Sequence, residues 1–104
     1  MKRGEVWWVD FPAPTGRRPA VLLSRNQAYR VRAAVTVVPL TRTIRGIASE
    51  LSLGPSDGVP KASVANADNV TTVAKSRLQE YLTTLSTANL ALLERAIKFA
   101  LDLT

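Results

Sequence analysis

Two short stretches of the sequence combine arginine and threonine in a pattern that could hold a phosphate group. Arg17 and Arg18 come just before the apolar run at residues 20–24, and Thr41 and Arg42 follow another apolar run. Pro19 biases Arg18 toward an extended conformation, so Arg18 is expected at the mouth of a strand. Donors at two strand ends could together grip a phosphate. The alternative is that these are ordinary solvated loop arginines, since arginine is mostly exposed in proteins.

The sequence contains neither histidine nor cysteine. Disulfides, zinc–thiolate sites, a cysteine nucleophile and a ribonuclease based on paired histidines are therefore excluded. Catalysis would have to rest on Arg, Lys, Asp, Glu, Thr, Ser or Tyr. The Asp and Glu residues show no spacing typical of metal ligands, so we expect no metal site and no cofactor.

The positive charge is concentrated in the first half of the chain. The net charge is +6; residues 1–45 carry nine basic and two acidic side chains, and residues 46–104 carry five basic and six acidic ones. Ten of the cations are arginines, which bind phosphate in bidentate fashion better than lysine does. This distribution favours an anionic partner, with nucleic acid as the leading candidate. A basic protein that is merely soluble is the alternative.

The length of 104 residues and the hydrophobic fraction of 46% fit one globular domain spanning residues 1–104 with one modest core. No apolar run approaches the roughly 18 residues that a membrane span requires. The first residues lack the apolar core of a signal peptide, which makes a cytoplasmic location the expectation.

The hydrophobic pattern predicts a series of strands followed by one helix. Predicted strands cover residues 5–11, 20–24, 33–40, 49–53, 62–66 and 69–73, with an end or bulge at Pro39 and a tight turn out of the sheet at 75–78. Residues 25–32 are expected to form a loop with one helical turn. An apolar stripe at positions 90, 93, 97 and 101 predicts an amphipathic helix over 87–102, with Ser86 as its N-cap. This order indicates an α+β fold with an antiparallel, barrel-like sheet.

The two adjacent tryptophans of the first predicted strand should lie on opposite faces of the sheet. One of them is expected in the core, and the other could line a groove where a base stacks. Core or interface packing of both Trp7 and Trp8 is the alternative.

Five blocks of sequence, in order, resemble the MazF/PemK-type toxins, which are sequence-specific endoribonucleases of bacterial toxin–antitoxin pairs. The blocks are RGEVWWVD, RPAVLLS, PLT, NADN and VAKSRL, and the similarity runs from Met1 to about Leu85. The resemblance implies a small SH3-like antiparallel barrel with a C-terminal amphipathic helix, which dimerises. It also implies an acidic antitoxin that lies in the substrate groove, single-stranded RNA as substrate, and no membrane association.

By match to the family motifs, Arg18 and Thr41 would be the catalytic residues. They would stabilise the phosphate while the neighbouring 2′-hydroxyl attacks, leaving a 2′,3′-cyclic phosphate and a 5′-hydroxyl without metal or cofactor. The loop at residues 12–17 is shorter than in many family members, and two arginines, Arg17 and Arg18, stand at its end. If this loop helps family members to recognise RNA sequence, that role therefore cannot be inferred for this chain.

Further candidates come from the remaining polar residues. Phosphate contacts are expected from the cations Arg17, Arg25, Arg42, Arg45 and Lys75. Asn66 and Asn69 could bind base edges, with turn capping as the alternative for each. The carboxylates that could assist as a base are Glu5, Asp10 and Asp68, and the sequence leaves the choice among them open, as it does a purely structural role for all three.

Two other function classes fit the same features. One is a toxin of the CcdB type, which shares this barrel and poisons gyrase without nuclease activity. The other is a non-catalytic module that binds single-stranded RNA.

Overall fold

The computed structural model describes residues 1–103 and contains seven strands and two α-helices in that range. The strands are β1 (Glu5–Asp10), β2 (Arg17–Leu22), β3 (Ala34–Thr41), β4 (Glu50–Leu53), β5 (Ser63–Asn66), β6 (Thr71–Ala74) and β7 (Leu78–Thr84). The helices are α1 (Ala28–Val31) and α2 (Thr87–Ala100). Three short 3-10 turns cover Pro55–Asp57, Ala67–Asn69 and Lys75–Arg77.

All strand pairs are antiparallel, and one long strand curls the sheet. The strand order is β4-β5-β3-β2-β1-β7, with β6 also paired to β3. The first half of β3 pairs with β6, whereas its last residues, Leu40 and Thr41, pair with β5. Because β3 exchanges one neighbour for another, the sheet folds into a half-barrel. The predicted α+β class, with a small SH3-like sheet and a C-terminal helix, is confirmed.

Apolar side chains fill both faces of the curled sheet. Val6 and Val21 belong to one cluster, which α2 covers, and Val9 and Leu22 belong to a second cluster, which includes Tyr29 of α1. The alternation of neighbouring residues between two cores explains why β2 reads as a continuous apolar run. Across residues 1–103, no helix has the length and apolar character needed to cross a membrane.

The C-terminal helix forms close to its predicted position. The Ser86 hydroxyl accepts a hydrogen bond from the Asn89 N–H at 3.0 Å, which satisfies one of the free donors at the helix start. Leu93 and Ala96 are buried on the sheet. The prediction is wrong at the far end, because the helix stops at Ala100 and Leu101 is 56% exposed instead of continuing the apolar stripe.

The sequence pattern missed β7. The predicted turn at residues 75–78 exists as a 3-10 turn, but the chain then re-enters the sheet and pairs with β1 along Leu78–Thr84. This strand is mostly polar and lies at the edge of the sheet, so it lacks the apolar alternation that marks a half-buried strand. Its pairing with β1 is a tertiary interaction that residues 78–84 do not reveal by themselves.

Two details of β2 and β3 also differ from expectation. Arg17 and Arg18 were predicted in a loop before the strand, but they belong to β2 and pair with Asp10 and Val9 of β1. Pro39 was predicted to end or bulge β3, yet the strand continues to Thr41. Pro39 lies between Val37, the last residue of β3 that pairs with β6, and Leu40, the first that pairs with β5. Neither β6 nor β5 therefore needs a hydrogen bond from the N–H that proline lacks.

Candidate active site

A cleft of about 450 Å³ opens where β2 and β3 meet the segment that leads into β5. Four of its lining residues are cations, namely Arg17, Arg18, Arg42 and Lys61. The others are Trp8, Pro19, Leu40, Thr41, Thr43, Pro60 and Ser63. No carboxylate is among these residues, so the cleft presents concentrated positive charge to an anionic ligand.

Arg18 and Thr41 lie on neighbouring strands, and both line the cleft. The pairs between β2 and β3 end at Ala20 and Pro39, two residues short of Arg18 and Thr41. On their outer sides, Arg18 pairs with Val9 of β1 and Thr41 pairs with Val64 of β5. The backbones of Arg18 and Thr41 are therefore held by neighbouring strands, so the positions of their Cα and Cβ atoms are fixed by the sheet.

The guanidinium of Arg18 is only partly engaged by the protein. Its Nη2 donates to the carbonyl oxygen of Thr15 at 3.3 Å, and its Nε is buried without a hydrogen-bond partner. Because Nε is enclosed, a ligand in the cleft would be bound by Nη1 and by the remaining hydrogen of Nη2.

The Thr41 hydroxyl combines a structural contact with a free donor. Its Oγ1 accepts a hydrogen bond from the Thr43 N–H at 3.2 Å, which orients the side chain in the turn after β3. A hydroxyl that accepts such a bond still carries its own hydrogen. That hydrogen is available to a phosphate oxygen in the cleft.

Trp8 and Arg17 form the rim of the cleft on the β1 side. The Cζ atom of Arg17 lies 4.3 Å from the ring centroid of Trp8, a cation–π arrangement. The same guanidinium donates to Gln79 Oε1 at 2.8 Å and to Glu80 Oε2 at 3.3 Å. Gln79 and Glu80 of β7 thus hold the Arg17 guanidinium over the indole ring. Part of its hydrogen-bonding capacity is already used by the Glu80 carboxylate.

The other tryptophan faces away from the cleft. Trp7 packs against the second core cluster, donates from Nε1 to Glu5 Oε1 at 2.9 Å, and meets Tyr81 edge to face at 6.3 Å. Trp7 therefore packs against the core and Trp8 lines the cleft. This arrangement matches the first of the two interpretations of the sequence, in which one tryptophan is in the core and the other lines a groove.

Three predicted phosphate contacts lie outside the cleft lining. Arg25 is exposed in the loop before α1. Arg45 is exposed in the loop after β3, where its N–H and that of Gly46 bind the Glu50 carboxylate. Lys75 lines a separate cavity and donates from Nζ to the Tyr29 carbonyl at 2.8 Å. The structure therefore brings together Arg17, Arg18, Thr41 and Arg42, but not these three.

The two predicted base-reading asparagines also lie apart from the cleft lining. Asn66 is 4% exposed, and its Oδ1 accepts a hydrogen bond from the Asp68 N–H at 3.0 Å. This geometry matches the turn-capping alternative. Asn69 is exposed at the end of the same 3-10 turn.

The three candidate carboxylates have structural partners or positions away from the cleft. Glu5 binds the indole N–H of Trp7 and the N–H of Lys2, and Asp10 forms an ion pair with Arg77 at 3.3 Å. Asp68 is exposed in the turn capped by Asn66. Within residues 1–103, no group of three or more acidic side chains is placed to hold a metal ion.

Comparison with known proteins identifies the family. The model of the PemK-like, MazF-like toxins of type II toxin–antitoxin systems matches residues 2–101. The chain belongs to this family. It is 44% identical over 102 residues to a probable endoribonuclease, MazF5, of Mycobacterium tuberculosis, covering 96% of this chain and 92% of the relative. It is 41% identical over 91 residues to MazF2 of the same species, also named a probable endoribonuclease, covering 86% and 87%.

Solved structures of PemK/MazF toxins share the fold. An endoribonuclease in complex with its cognate antitoxin, from a mycobacterial species, superposes with a TM-score of 0.88 at 34% identity, covering 100% of this chain and 97% of that one. The Mycobacterium tuberculosis toxin MazF-mt6 gives a TM-score of 0.88 at 28% identity, covering 96% and 98%. The antiparallel half-barrel with its C-terminal helix is thus the fold of PemK/MazF toxins.

Sequence reasoning did not select two polar residues that line the cleft of this PemK/MazF-like chain. Lys61 and Ser63 lie just before and at the start of β5. In the sequence, Lys61 follows a cluster of turn residues and resembles an ordinary surface lysine. The pairing of Thr41 with Val64 brings this segment beside the catalytic candidates, and that pairing is long-range.

Proposed function

We propose that this chain is a toxin that cleaves single-stranded RNA at specific sequences without a metal ion. The observation that supports this most directly is the convergence of Arg18 and Thr41 in one basic cleft free of carboxylates. A phosphodiester is the anion that such a cleft fits, and Trp8 offers a ring on which a base can stack. The endoribonuclease names of the mycobacterial relatives support the same activity.

The proposed reaction uses the substrate's own nucleophile. The 2′-hydroxyl beside the scissile bond attacks the phosphorus, and the product ends are a 2′,3′-cyclic phosphate and a 5′-hydroxyl. Extra negative charge develops on the non-bridging phosphate oxygens during the attack. In this proposal the Nη donors of Arg18 and the hydroxyl of Thr41 bind those oxygens, and such electrostatic stabilisation is commonly the largest catalytic contribution.

We propose that Arg17 and Arg42 hold the flanking phosphates rather than the reacting one. Both line the cleft beside the catalytic pair, and Arg17 is already positioned by Trp8, Gln79 and Glu80. A guanidinium fixed at the rim can bind a backbone phosphate with little further ordering of its side chain. Arg25, Arg45 and Lys75 would contact RNA only where the strand extends beyond the cleft.

We also propose that the chain works in the cytoplasm as a homodimer that is restrained by an acidic antitoxin. The dimer follows from the family, and the outer face of α2 carries apolar side chains suited to burial, with Leu92 46% and Phe99 65% exposed. The complex of a similar endoribonuclease with its cognate antitoxin supports the second partner. A basic cleft suits an acidic peptide as well as it suits RNA.

The decisive experiment is cleavage of a long RNA by the purified protein in EDTA, with cut sites mapped by primer extension. The proposal expects cuts at one recurring motif, with new 5′ ends that polynucleotide kinase labels without prior phosphatase treatment. An Arg18→Ala preparation controls for contaminating nuclease. Absence of specific cuts, together with inhibition of gyrase in a parallel supercoiling assay, would favour the CcdB-type alternative. Binding of RNA without any cleavage would favour the non-catalytic module.

A further inference from the structure

Lys61 lines the cleft from the segment between β4 and β5, whereas Arg18 and Thr41 line it from β2 and β3. The residue opposite Thr41 in the sheet is Val64, so the segment just before β5 lies beside the catalytic pair. A phosphodiester bound by Arg18 and Thr41 would have this segment as its other wall. Among the lining residues that this segment supplies, which are Pro60, Lys61 and Ser63, Lys61 is the charged one.

The segment that carries Lys61 is attached firmly to the rest of the fold through Asp57. The Asp57 carboxylate accepts hydrogen bonds from the Gly54 N–H at 2.9 Å and from Asn89 Nδ2 of α2 at 3.1 Å. The Asp57 carbonyl accepts a further bond from Thr83 Oγ1 of β7 at 3.3 Å. One aspartate therefore connects the segment to both the helix and the last strand.

The backbone closer to Lys61 is held as well. Gly58 has a φ of +90° and lies against the side chain of Thr83, a position that only glycine fits easily. Val59 is 2% exposed in the core, and Ser63 Oγ donates to the Lys61 carbonyl at 2.8 Å. Anchors on both sides fix where the Lys61 side chain starts, although the residue itself is exposed.

The ammonium group of Lys61 is free to act on a ligand. In the chain from Met1 to residue 103, it takes part in none of the four ion pairs, and the Lys61 carbonyl, not Nζ, makes the hydrogen bond to Ser63. No lining residue of the cleft carries a carboxylate that could neutralise it. Its positive charge is therefore available to an anion bound in the cleft.

We infer that Lys61 is the proton donor to the 5′-oxygen that leaves when the RNA backbone is cut. The inference rests on the proposed function. The departing oxygen takes the bonding electron pair and needs a proton, and the other cations of the cleft are arginines, which proteins do not deprotonate. Among the lining side chains, the lysine ammonium is the positively charged group that can release a proton. Arg18 then has the separate role of binding the phosphate oxygens.

The step is balanced in atoms and charge. The bond between the 2′-oxygen and phosphorus forms, the bond between phosphorus and the 5′-oxygen breaks, and the 2′-hydroxyl proton passes to water. The proton on Lys61 Nζ moves to the 5′-oxygen, which leaves as a hydroxyl group. The neutral amine then recovers a proton from solvent, so no oxidant, reductant or other co-reactant is required.

The test removes the need for a proton donor by changing the leaving atom. An RNA oligonucleotide carries the mapped cut site with either the normal 5′-oxygen or a bridging 5′-sulfur, since a thiolate leaves without protonation. We expect Lys61→Met and Lys61→Arg to slow cleavage of the normal RNA by about 10²-fold or more. Both variants should cleave the sulfur substrate within a few-fold of the wild-type rate.

Two controls separate proton donation by Lys61 from a general effect of its positive charge on RNA binding. Affinity for an RNA with a 2′-deoxy nucleotide at the cut site reports binding alone and should be retained by Lys61→Arg. Lys98→Met, at an exposed lysine of α2, should behave like wild type on both substrates. Normal activity of Lys61→Arg on the oxygen substrate, or an equal defect on both substrates, would overturn the inference. Failure of the wild-type protein to cut either RNA would instead overturn the proposed function.

Discussion

Arg18 of β2 and Thr41 of β3 come from neighbouring antiparallel strands and line the same basic cleft. Each is enclosed by a further strand, since Arg18 pairs with Val9 and Thr41 with Val64. The sheet therefore presents a guanidinium and a hydroxyl to one point in space without help from mobile loops. Rigid placement of this kind is what electrostatic catalysis requires, because the donors do not have to reorganise during the reaction.

Replacing Arg18 by alanine should lower the rate of RNA cleavage by about 10²- to 10³-fold, because one charge-stabilising donor is lost. The melting temperature should not fall, since the buried Nε has no partner in the folded chain. The measurement is a cleavage time course together with thermal unfolding by circular dichroism. Arg32→Ala, at an exposed arginine outside the cleft lining, is the matched control. A folded Arg18→Ala protein with near-normal activity would contradict the site.

Thr41→Ala should also slow cleavage, but by less than Arg18→Ala, because a neutral hydroxyl is a weaker donor than a guanidinium. Thr41→Ser keeps both the hydroxyl and its acceptance of the Thr43 N–H, so it should retain most of the activity. Single-turnover rates of the two variants provide the comparison. Equal losses in the serine and alanine variants would show that the methyl group, not the hydroxyl, is what the site needs.

Cleavage should proceed in EDTA at the same rate as in buffer with added magnesium. The reason is that Arg18 and the other cations of the cleft supply the positive charge that a metal ion would otherwise bring to the phosphate. Rates are measured after chelation and again after stepwise addition of divalent ions. A strict requirement for any of these ions would refute the proposed chemistry.

RNA and the acidic antitoxin should exclude each other from the cleft. An acidic peptide that pairs with Arg17, Arg18 and Arg42 would cover the positions proposed for phosphates. In a titration, antitoxin peptide is added to labelled, uncleavable RNA that is bound to the protein. Arg42→Ala should lower the affinity of the protein for both RNA and peptide.

The affinities for RNA and for peptide should also fall as the salt concentration rises, since charges are screened over about 10 Å at 0.1 M. A ternary complex with unchanged RNA affinity would place inhibition elsewhere on the surface.

Tyr29→Phe should gain stability relative to the wild-type protein at alkaline pH, because the variant has no phenol that can ionise on unfolding. Burial raises the pKa of the Tyr29 phenol above its ordinary value of 10.0. Above about pH 10 the unfolded tyrosine ionises while the folded one stays neutral, so wild-type stability falls there. Urea unfolding at pH 8 and pH 10.5 should show the advantage of the variant growing at the higher pH.

The amino-acid sequence was sufficient to predict the α+β class, the C-terminal helix with its Ser86 cap, and the two segments that contain Arg18 and Thr41. These features depend on local patterns, namely apolar periodicity, a capping side chain and the effect of proline on the preceding residue. The composition was equally informative, because a chain without histidine or cysteine has few ways to catalyse a reaction. Order along the chain and residue types were sufficient for all of these conclusions.

Which polar residues share the cleft depends on the tertiary structure and could not be predicted from the sequence. Pairing of β3 with β5 brings Lys61 to the site, and pairing of β1 with β7 places Glu80 on Arg17. The same structure leaves Arg25, Arg45 and Lys75 outside the cleft lining and buries Asn66 as a turn cap. The pairing of strands depends on long-range packing against both faces of the sheet. The residues next to an exposed arginine or lysine in the sequence therefore do not predict which side chains will lie near it in the folded chain.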